Sequence, residues 1–421
     1  MFKDVKTAVE WIESIKKFGS KLDLSRMNLA CERLGHPEQS IKTIHVAGTN
    51  GKGSTVSFLK SILMENGYTV GTYTSPYIVS FNERISINDT PINDADLLKY
   101  INQVNSLYNE LCDEFGMVVT FFECVTLISF LYNKDKQPDF VIYEVGLGGT
   151  LDATNVISPI LTAITSISYD HMGVLGDTLE SIALNKLGIV KDNIPLITTV
   201  HQKELLPLFH EVTNNHHSEL TLISQNDITI SSSTNKTSFT YQDNSYTTGL
   251  NGMHQPYNAV LALSMAQKLE ALGYVTLKPG SIQKGLENTR WPGRMETFGN
   301  VVMDGAHNIG GVKALEKTLK AWNPKKVHIL FTAMADKEID EMIQVLDTLC
   351  DTITFTEFPY PRCDQAINLY NHSQHKHKYQ KTDAKEALRE LILKYPNDLI
   401  VVTGSLYFIS YIRPEVIQLM K

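Results

Sequence analysis

The sequence predicts an α/β protein built from two doubly wound domains, and three observations predict it. Short apolar runs alternate with helical patterns along most of the chain, the rhythm of parallel strands covered by helices. A glycine-rich turn ending in lysine, Gly48-Thr49-Asn50-Gly51-Lys52, joins the first such strand to the first such helix. The 421 residues exceed the size at which one hydrophobic core keeps growing, so two domains are expected.

Taken in order, Ile41 to Ala47 reads as a strand, and Val56, Phe58, Leu59, Ile62 and Leu63 recur at helical spacing behind the turn. Tyr68 to Tyr73 is a short β-rich run followed by a polar loop over 74–93. Helical spacing resumes over 94–115 and again over 120–133, where it is apolar nearly all round and predicts burial. Phe140 to Val145 and Ile160 to Ile167 suit central parallel strands, and a helix over 178–190 and a strand over 195–200 continue the alternation. Ser/Thr/Asn-rich alternation over 220–246 predicts a β-meander with a variable loop at 231–236, followed by a buried helix over 255–272. Trp291-Pro292-Gly293-Arg294 is punctuation suited to a hinge. Beyond it, strands at 301–304, 327–332, 352–355 and 398–403 alternate with helices at 310–321, 338–350 and 382–394, a small doubly wound sheet. The expected division is a large P-loop-containing domain over 1–293 and a smaller Rossmann-like domain over 294–421.

Apolar residues make up 43% of the chain and charged residues 20%, the balance of an ordinary globular protein. A net charge of -8 argues against a nucleic-acid or anionic-membrane partner. No run approaches the length of a membrane span, and the mixed-charge amphipathic segment 1–21 lacks the apolar core of a signal peptide. The five cysteines, Cys31, Cys112, Cys124, Cys350 and Cys363, are scattered without a C-x-x-C pair, which predicts reduced thiols in a cytoplasmic protein. The His-rich stretch 372–378 has the spacing of a solvated turn rather than of a metal site.

The glycine-rich turn carries the first chemical signal. Its glycines permit positive φ and bring several N–H groups toward phosphate oxygens, the helix behind presents its positive end, and Lys52 adds a mobile cation. Thr49, Asn50, Gly51, Lys52, Gly53 and Ser54 are therefore expected to hold a polyphosphate. The loop is a variant of G-x-x-x-x-G-K-[ST], with Val46 in place of the first Gly and Gly53 in place of the Ser/Thr. A nucleotide there calls for Mg²⁺ on hard oxygen ligands, often with one nitrogen. Ser75, Glu144 and Asp170-His171 stand at the ends of expected parallel strands, the edge where ligands collect in open α/β sheets. Glu144 is the most telling of them, because a carboxylate ending an apolar strand is costly to bury without a cation or donor.

Five segments in order, His45-Val-Ala-Gly-Thr-Asn-Gly-Lys-Gly-Ser54, Thr74-Ser-Pro-Tyr-Ile-Val-Ser-Phe-Asn-Glu-Arg-Ile85, Tyr143-Glu-Val-Gly-Leu-Gly-Gly-Thr-Leu-Asp-Ala-Thr-Asn155, Asp170-His171 and Asp304-Gly-Ala-His-Asn308, closely resemble the folylpolyglutamate synthase family. That family belongs to the Mur-ligase superfamily and overlaps with bacterial dihydrofolate synthase. The resemblance spans nearly the whole chain. It implies an ATP-binding first domain and a C-terminal glutamate ligase domain, with ATP-dependent ligation of L-glutamate to the side-chain carboxylate of tetrahydrofolate. An acyl phosphate is the implied intermediate, ADP and phosphate are products, and dihydropteroate is a second acceptor. By the same resemblance Ser75 and Glu144 match ligands of a first Mg²⁺ and His171 a ligand of a second. Lys186 matches a lysine that the family carbamylates, here between Asn185 and Leu187 in place of a more usual glutamate and alanine setting; N6-carboxylysine at Lys186 would be a further metal ligand. Lys191 lies five residues on and competes for that assignment. Asn258, Arg294 and Asp304 align with nucleotide contacts. Asp152 and His307 align with residues near the reacting carboxylate and the incoming glutamate, and Phe121, Phe122 and Glu123 with the surroundings of the folate pocket. Family precedent favours a monomer.

Two other readings share the phosphate loop. A peptidoglycan Mur ligase would carry a nucleotide-sugar-binding domain ahead of it, where only about 44 residues stand here. A non-enzymatic P-loop switch leaves Asp152, His307 and the second domain without a purpose.

Overall fold

The computed structural model describes residues 1–16, 23–234 and 236–421. Residues 17–21 of the expected N-terminal amphipathic segment and Asn235 of the expected variable loop lie outside the described residues. The chain forms two compact units, each drawn from two stretches. One comprises Met1–Gln225 and Asn258–Gly285, the other Asn226–Tyr257 and Leu286–Lys421.

The first unit is built on eight strands: β1 (Thr43–Ala47), β2 (Val70–Tyr73), β3 (Ile85–Ile87), β4 (Thr90–Pro91), β5 (Phe140–Glu144), β6 (Pro159–Ile164), β7 (Leu196–Thr198) and β8 (Leu220–Leu222). They lie in the order β4-β3-β2-β5-β1-β6-β7-β8. β1, β2 and β5 are buried at every position, as strands covered on both faces must be. The central strands β2, β5, β1 and β6 run parallel, with Tyr73 beside Tyr143, Glu144 beside Val46 and Ala47 beside Ile164, so their carboxyl ends form one continuous edge. Tyr73, Tyr100, Phe130 and Tyr143 anchor one apolar cluster, and Ala47, Ile164, Ile182, Leu187 and Phe209 belong to another. The helix Phe121–Lys136 is buried as its composition predicted, and a capping box of Thr120 and Glu123 starts it.

Two local features around the first unit's sheet depart from the sequence reading. The polar loop 74–93 contains the antiparallel strands β3 and β4, which extend the sheet beyond β2. Residues 220–222 form β8, which joins the parallel sheet beside β7, so the meander is confined to β9 (Thr229–Ser233), β10 (Lys236–Tyr241) and β11 (Asn244–Thr248) of the second unit.

The second unit's larger sheet comprises β12 (Glu296–Phe298), β13 (Val301–Asp304), β14 (Val327–Phe331), β15 (Thr352–Glu357), β16 (Lys378–Asp383) and β17 (Leu399–Thr403), in the order β12-β13-β17-β14-β15-β16. All neighbours but β12 and β13 pair in parallel. Asp304, Thr403, Phe331 and Phe355 stand side by side in register near its carboxyl edge. The helix Leu406–Leu419 closes the fold, and its Arg413 clamps Glu296 at 2.6 and 2.9 Å. In the His-rich stretch, His372 pairs with Asp340 and His375 with the Cys350 carbonyl. No helix among the described residues is long and apolar enough to cross a membrane.

Candidate active site

The turn after β1 is pinned from beneath by the segment after β6. Thr165 and Ser166 both donate their hydroxyls to the Asn50 carbonyl, at 2.6 and 2.9 Å. The Asn50 N–H donates to Ser166 Oγ at 3.0 Å, and Thr49 bonds the backbone of Ser166 and Ser168. Gly48 and Gly51 carry φ of 142° and 91°, backbone that side chains avoid. A β-carbon at Gly48 would stand 1.9 Å from Thr165 Oγ1, and one at Gly51 would stand 2.2 Å from Asn258 Oδ1. The second distance brings Asn258, from the helix Gln255–Ala271, onto the turn. Gly51 caps the helix Lys52–Glu65, which contains Lys52, Gly53 and Ser54, and the Lys52 ammonium curls back onto the carbonyls of Gly48 and Thr49 at 3.0 and 3.2 Å. The arrangement is a preformed anion cradle with a cation over it.

Beside the cradle, Ser75 follows β2 and Glu144 ends β5. The Ser75 N–H donates to Glu144 Oε2 at 3.1 Å, and Glu144 is only 5% exposed. Asp152 lies in the loop after β5, buried, with its carboxylate fully engaged. Oδ2 accepts from the N–H groups of Gly146 and Leu147 at 3.0 and 2.9 Å, and Oδ1 from the N–H and hydroxyl of Thr154 at 3.0 and 2.5 Å. Burial pushes this carboxyl up, against the pull of those donors. Four donors use the capacity of both oxygens, so Asp152 holds the glycine loop in shape and is poorly placed to take a proton from an amine.

The same network fixes a histidine that the sequence reading quoted but gave no role. Thr154 spends its hydroxyl proton on Asp152, so the 2.7 Å contact between His45 Nε2 and Thr154 Oγ1 requires the imidazole to donate. His45 is therefore the neutral Nε2–H form. Complete burial, with the nearby Lys191 cation adding, pushes it down to about 3.

Lys186 lies near the end of the helix Leu179–Leu187 and is 3% exposed. Burial pushes its ammonium down to about 7; Lys52 adds to the effect, while Asp170 and Asp152 oppose it. The glycine loop packs on this helix end, where a β-carbon at Gly149 would lie 2.9 Å from the Lys186 carbonyl. Lys191 instead donates to the Asn155 carbonyl at 3.0 Å. His171 adopts left-handed backbone at φ 52°, its N–H on Asp170 Oδ1 at 2.9 Å and its ring half-exposed. Among the described residues no three His, Cys, Asp or Glu side chains form a ready-made metal cage.

In the second unit Asp304 ends β13. It accepts from the N–H groups of Met295 and Ala306, each at 3.0 Å, which ties the Pro-Gly-Arg hinge to the strand end. Gly305 lies on Gly293 by a 2.9 Å backbone bond, and a β-carbon at Gly305 would stand 3.3 Å from Arg294 Nη1. His307 Nδ1 contacts the Gly305 carbonyl at 2.8 Å and therefore carries a proton. Arg294, Asp304 and His307 thus share one strand end. Buried His254 joins them electrostatically, its imidazole pushed down by burial and by Arg294 while Asp304 pulls it up.

The chain matches the Mur ligase middle domain over residues 46–266 and the glutamate ligase domain of Mur ligases over residues 293–406. It is 40% identical to the dihydrofolate synthase/folylpolyglutamate synthase of Bacillus subtilis, over 98% of this chain and 99% of that one. The chain belongs to the folylpolyglutamate synthase/dihydrofolate synthase family of Mur ligases. Its fold matches the crystal structure of the folylpolyglutamate synthase of Thermotoga maritima with a TM-score of 0.83, at 30% identity over 98% of this chain and 96% of that one. A folylpolyglutamate synthase solved with AMPPCP and folate matches with a TM-score of 0.85, at 30% identity over 97% of this chain and 98% of that one.

Within this family framework, several functional contacts lay outside the reach of the sequence. Thr165, Ser166 and Ser168 shape the phosphate turn from more than a hundred residues away, and Thr154 mediates between His45 and Asp152. Glu123, expected beside a folate pocket, is spent on the Thr120 N–H and on a buried ion pair with Arg26 at 2.9 Å. Phe122 lies against Gly146, where a β-carbon would stand 2.5 Å from its ring, so this aromatic does pack on the loop that Asp152 organises.

Proposed function

We propose that this protein joins L-glutamate to the side-chain carboxylate of a reduced folate at the expense of ATP, and accepts dihydropteroate as a second acid. One observation carries the reading. The phosphate cradle, Ser75 and the buried Glu144 carboxylate stand together at one carboxyl edge of the first unit's sheet, and a buried lysine of lowered basicity, Lys186, lies within electrostatic reach of Lys52. The relative solved with AMPPCP and folate supports the same pairing of substrates.

A carboxylate is a poor electrophile. In the proposed route one of its oxygens attacks the γ-phosphorus of ATP, the bond to ADP breaks, and an acyl phosphate results. The glutamate nitrogen then attacks the acyl carbon, the tetrahedral adduct expels phosphate, and the nitrogen loses a proton to leave an amide. The residues of the turn, Thr49 to Ser54, hold the polyphosphate in line through backbone N–H groups, and Lys52 leaves the carbonyls of Gly48 and Thr49 to meet it. Asn258 steadies the turn. Arg294 and Asp304 match nucleotide contacts of the family, and Asp152 shapes the loop at the reacting acid. His307, its Nδ1 proton on the Gly305 carbonyl, matches by family resemblance a residue near the incoming glutamate.

The Ser75 hydroxyl and the buried Glu144 carboxylate are hard oxygens that fit Mg²⁺, an ion usually held by one or two protein ligands beside phosphate oxygens and water. Lys186 as an amine does not fit a metal, but as N6-carboxylysine it would, together with His171. Burial supports that modification, because a lysine pushed down to about 7 supplies the neutral amine that attacks carbon dioxide. Bound Mg²⁺ would offset charge on the β- and γ-phosphates. We place the functional boundary at 293/294, at the start of the segment matched by the glutamate ligase domain, and the enzyme as a cytoplasmic monomer.

The test is ADP release by the purified protein with ATP, Mg²⁺, tetrahydrofolate and glutamate. Release requires both the pterin and the amino acid, and dihydropteroate replaces the folate. Release that persists without glutamate, or that needs a nucleotide-sugar peptide instead, overturns the reading.

A further inference from the structure

The loop after β15 carries an arginine that the route above does not use. Phe358 and Tyr360 from this loop stack at 5.6 Å and 14°, and Tyr360 stacks on Tyr407 of the helix Leu406–Leu419 at 4.7 Å and 22°. The Arg362 guanidinium sits 5.8 Å from the ring centres of both Tyr360 and Tyr407. Its backbone is fixed as well. Ala335 N–H donates to the Arg362 carbonyl at 2.9 Å, Asp364 N–H donates to the Ala333 carbonyl at 2.9 Å, and Met334 bridges Cys363. The side chain nevertheless remains 44% exposed; Tyr360 shares a hydrogen bond with it, and the Asp336 carboxylate, itself 48% exposed, makes a loose ion pair with Nη1 at 3.6 Å. A cation is mounted on an aromatic support, half-exposed and held by an ion pair that solvent weakens.

Its place in the unit says what it faces. Asp304, Thr403, Phe331 and Phe355 stand side by side near the carboxyl edge, and the loop of Arg362 leaves from the end of β15. The helix bearing Tyr407 begins at Leu406, whose side chain lies against Gly305, the residue that holds His307. One helical residue therefore touches the His307 loop, and the next touches Arg362. A guanidinium presents a planar fork that matches a carboxylate with two parallel N–H···O bonds, and stacking on an aromatic surface fixes its plane beforehand.

We propose that Arg362, on the Tyr360–Tyr407 platform, receives one carboxylate of the incoming glutamate. This rests on the functional reading above and adds a specificity residue to it. Amino acid and polyphosphate then have separate anion receptors, so losing one leaves the other intact.

The experiment compares wild type with Arg362→Ala and Arg362→Lys, varying glutamate, ATP and tetrahydrofolate in turn and monitoring ADP release. Arg362→Ala raises the glutamate KM roughly 30-fold or more, the usual consequence of losing a charge-assisted pair, while the KM values for ATP and folate stay within about twofold. Arg362→Lys recovers part of the loss by restoring charge without the fork. L-Glutamine and L-isoglutamine, amidated at one carboxylate each, identify the partner: wild type discriminates against one of them, and the alanine variant loses that discrimination. A glutamate KM unchanged within twofold overturns the proposal, as does an equal rise in all three KM values, which marks a packing defect. Either result is distinct from failure of the functional reading, in which wild type itself releases ADP without glutamate.

Discussion

Lowering the pH from about 8 to about 6 should remove most of the activity, by a route that added bicarbonate partly reverses. Lys186 is buried, and burial with help from Lys52 pushes its ammonium down to about 7. Carbon dioxide adds only to the neutral amine, whose share falls from about nine-tenths near pH 8 to about one-tenth near pH 6. An ordinary lysine would be neutral in well under about 1% of molecules at both values, so burial supplies the reactive form. The expected loss is therefore about tenfold if carbamate equilibrates with the amine. The sign for stability follows from the same shift. Between about 7 and the ordinary lysine value, the unfolded chain keeps a proton that the folded unmodified chain has lost, so stability of the unmodified protein rises with pH across that window. The assay is ADP release at fixed pH in carbon dioxide-depleted and bicarbonate-supplemented buffer, alongside carbon-13 NMR with labelled bicarbonate. A carbamate signal should appear in wild type and in Lys191→Ala but not in Lys186→Ala. Full activity in depleted buffer with no carbamate signal refutes the reasoning.

Other outcomes follow from the close packing of the first unit. Gly48→Ala forces a β-carbon against Thr165 Oγ1 at 1.9 Å on backbone with φ of 142°, so the KM for ATP should rise at least about tenfold and stability should fall by about 1–3 kcal/mol; titration with ATP and a thermal melt measure the two effects. Thr154→Val leaves His45 without its acceptor and Asp152 short of a donor, which should cost about 1–3 kcal/mol in denaturant unfolding and slow kcat more than it changes the KM for ATP.

What the sequence made legible was what local pattern and burial dictate. β1 and β5 are buried at every residue, and such strands are visible as continuous apolar runs. The glycine turn was readable because positive φ and a following helix leave a mark within a few residues. Elements without a core face escaped. β16 is exposed or half-exposed along its length, so Lys378 read as the end of a basic turn and Thr382 and Asp383 as the start of a helix, and the short β3 and β4 were lost in a polar loop. Long-range hydrogen bonds escaped for a different reason. Nothing near Asn50 in the chain announces that Thr165 and Ser166 hold its carbonyl, and no periodicity separates Lys186 from Lys191; only the buried setting beside Lys52, Asp170 and Asp152 distinguishes the two.

The central claim, that the cradle after β1 holds a triphosphate so that an inert carboxylate becomes an acyl phosphate, has a direct isotopic test. Tetrahydrofolate labelled with oxygen-18 in its side-chain carboxylate should pass one labelled oxygen into the inorganic phosphate formed with each amide. Phosphate released without label while amide accumulates would contradict the account.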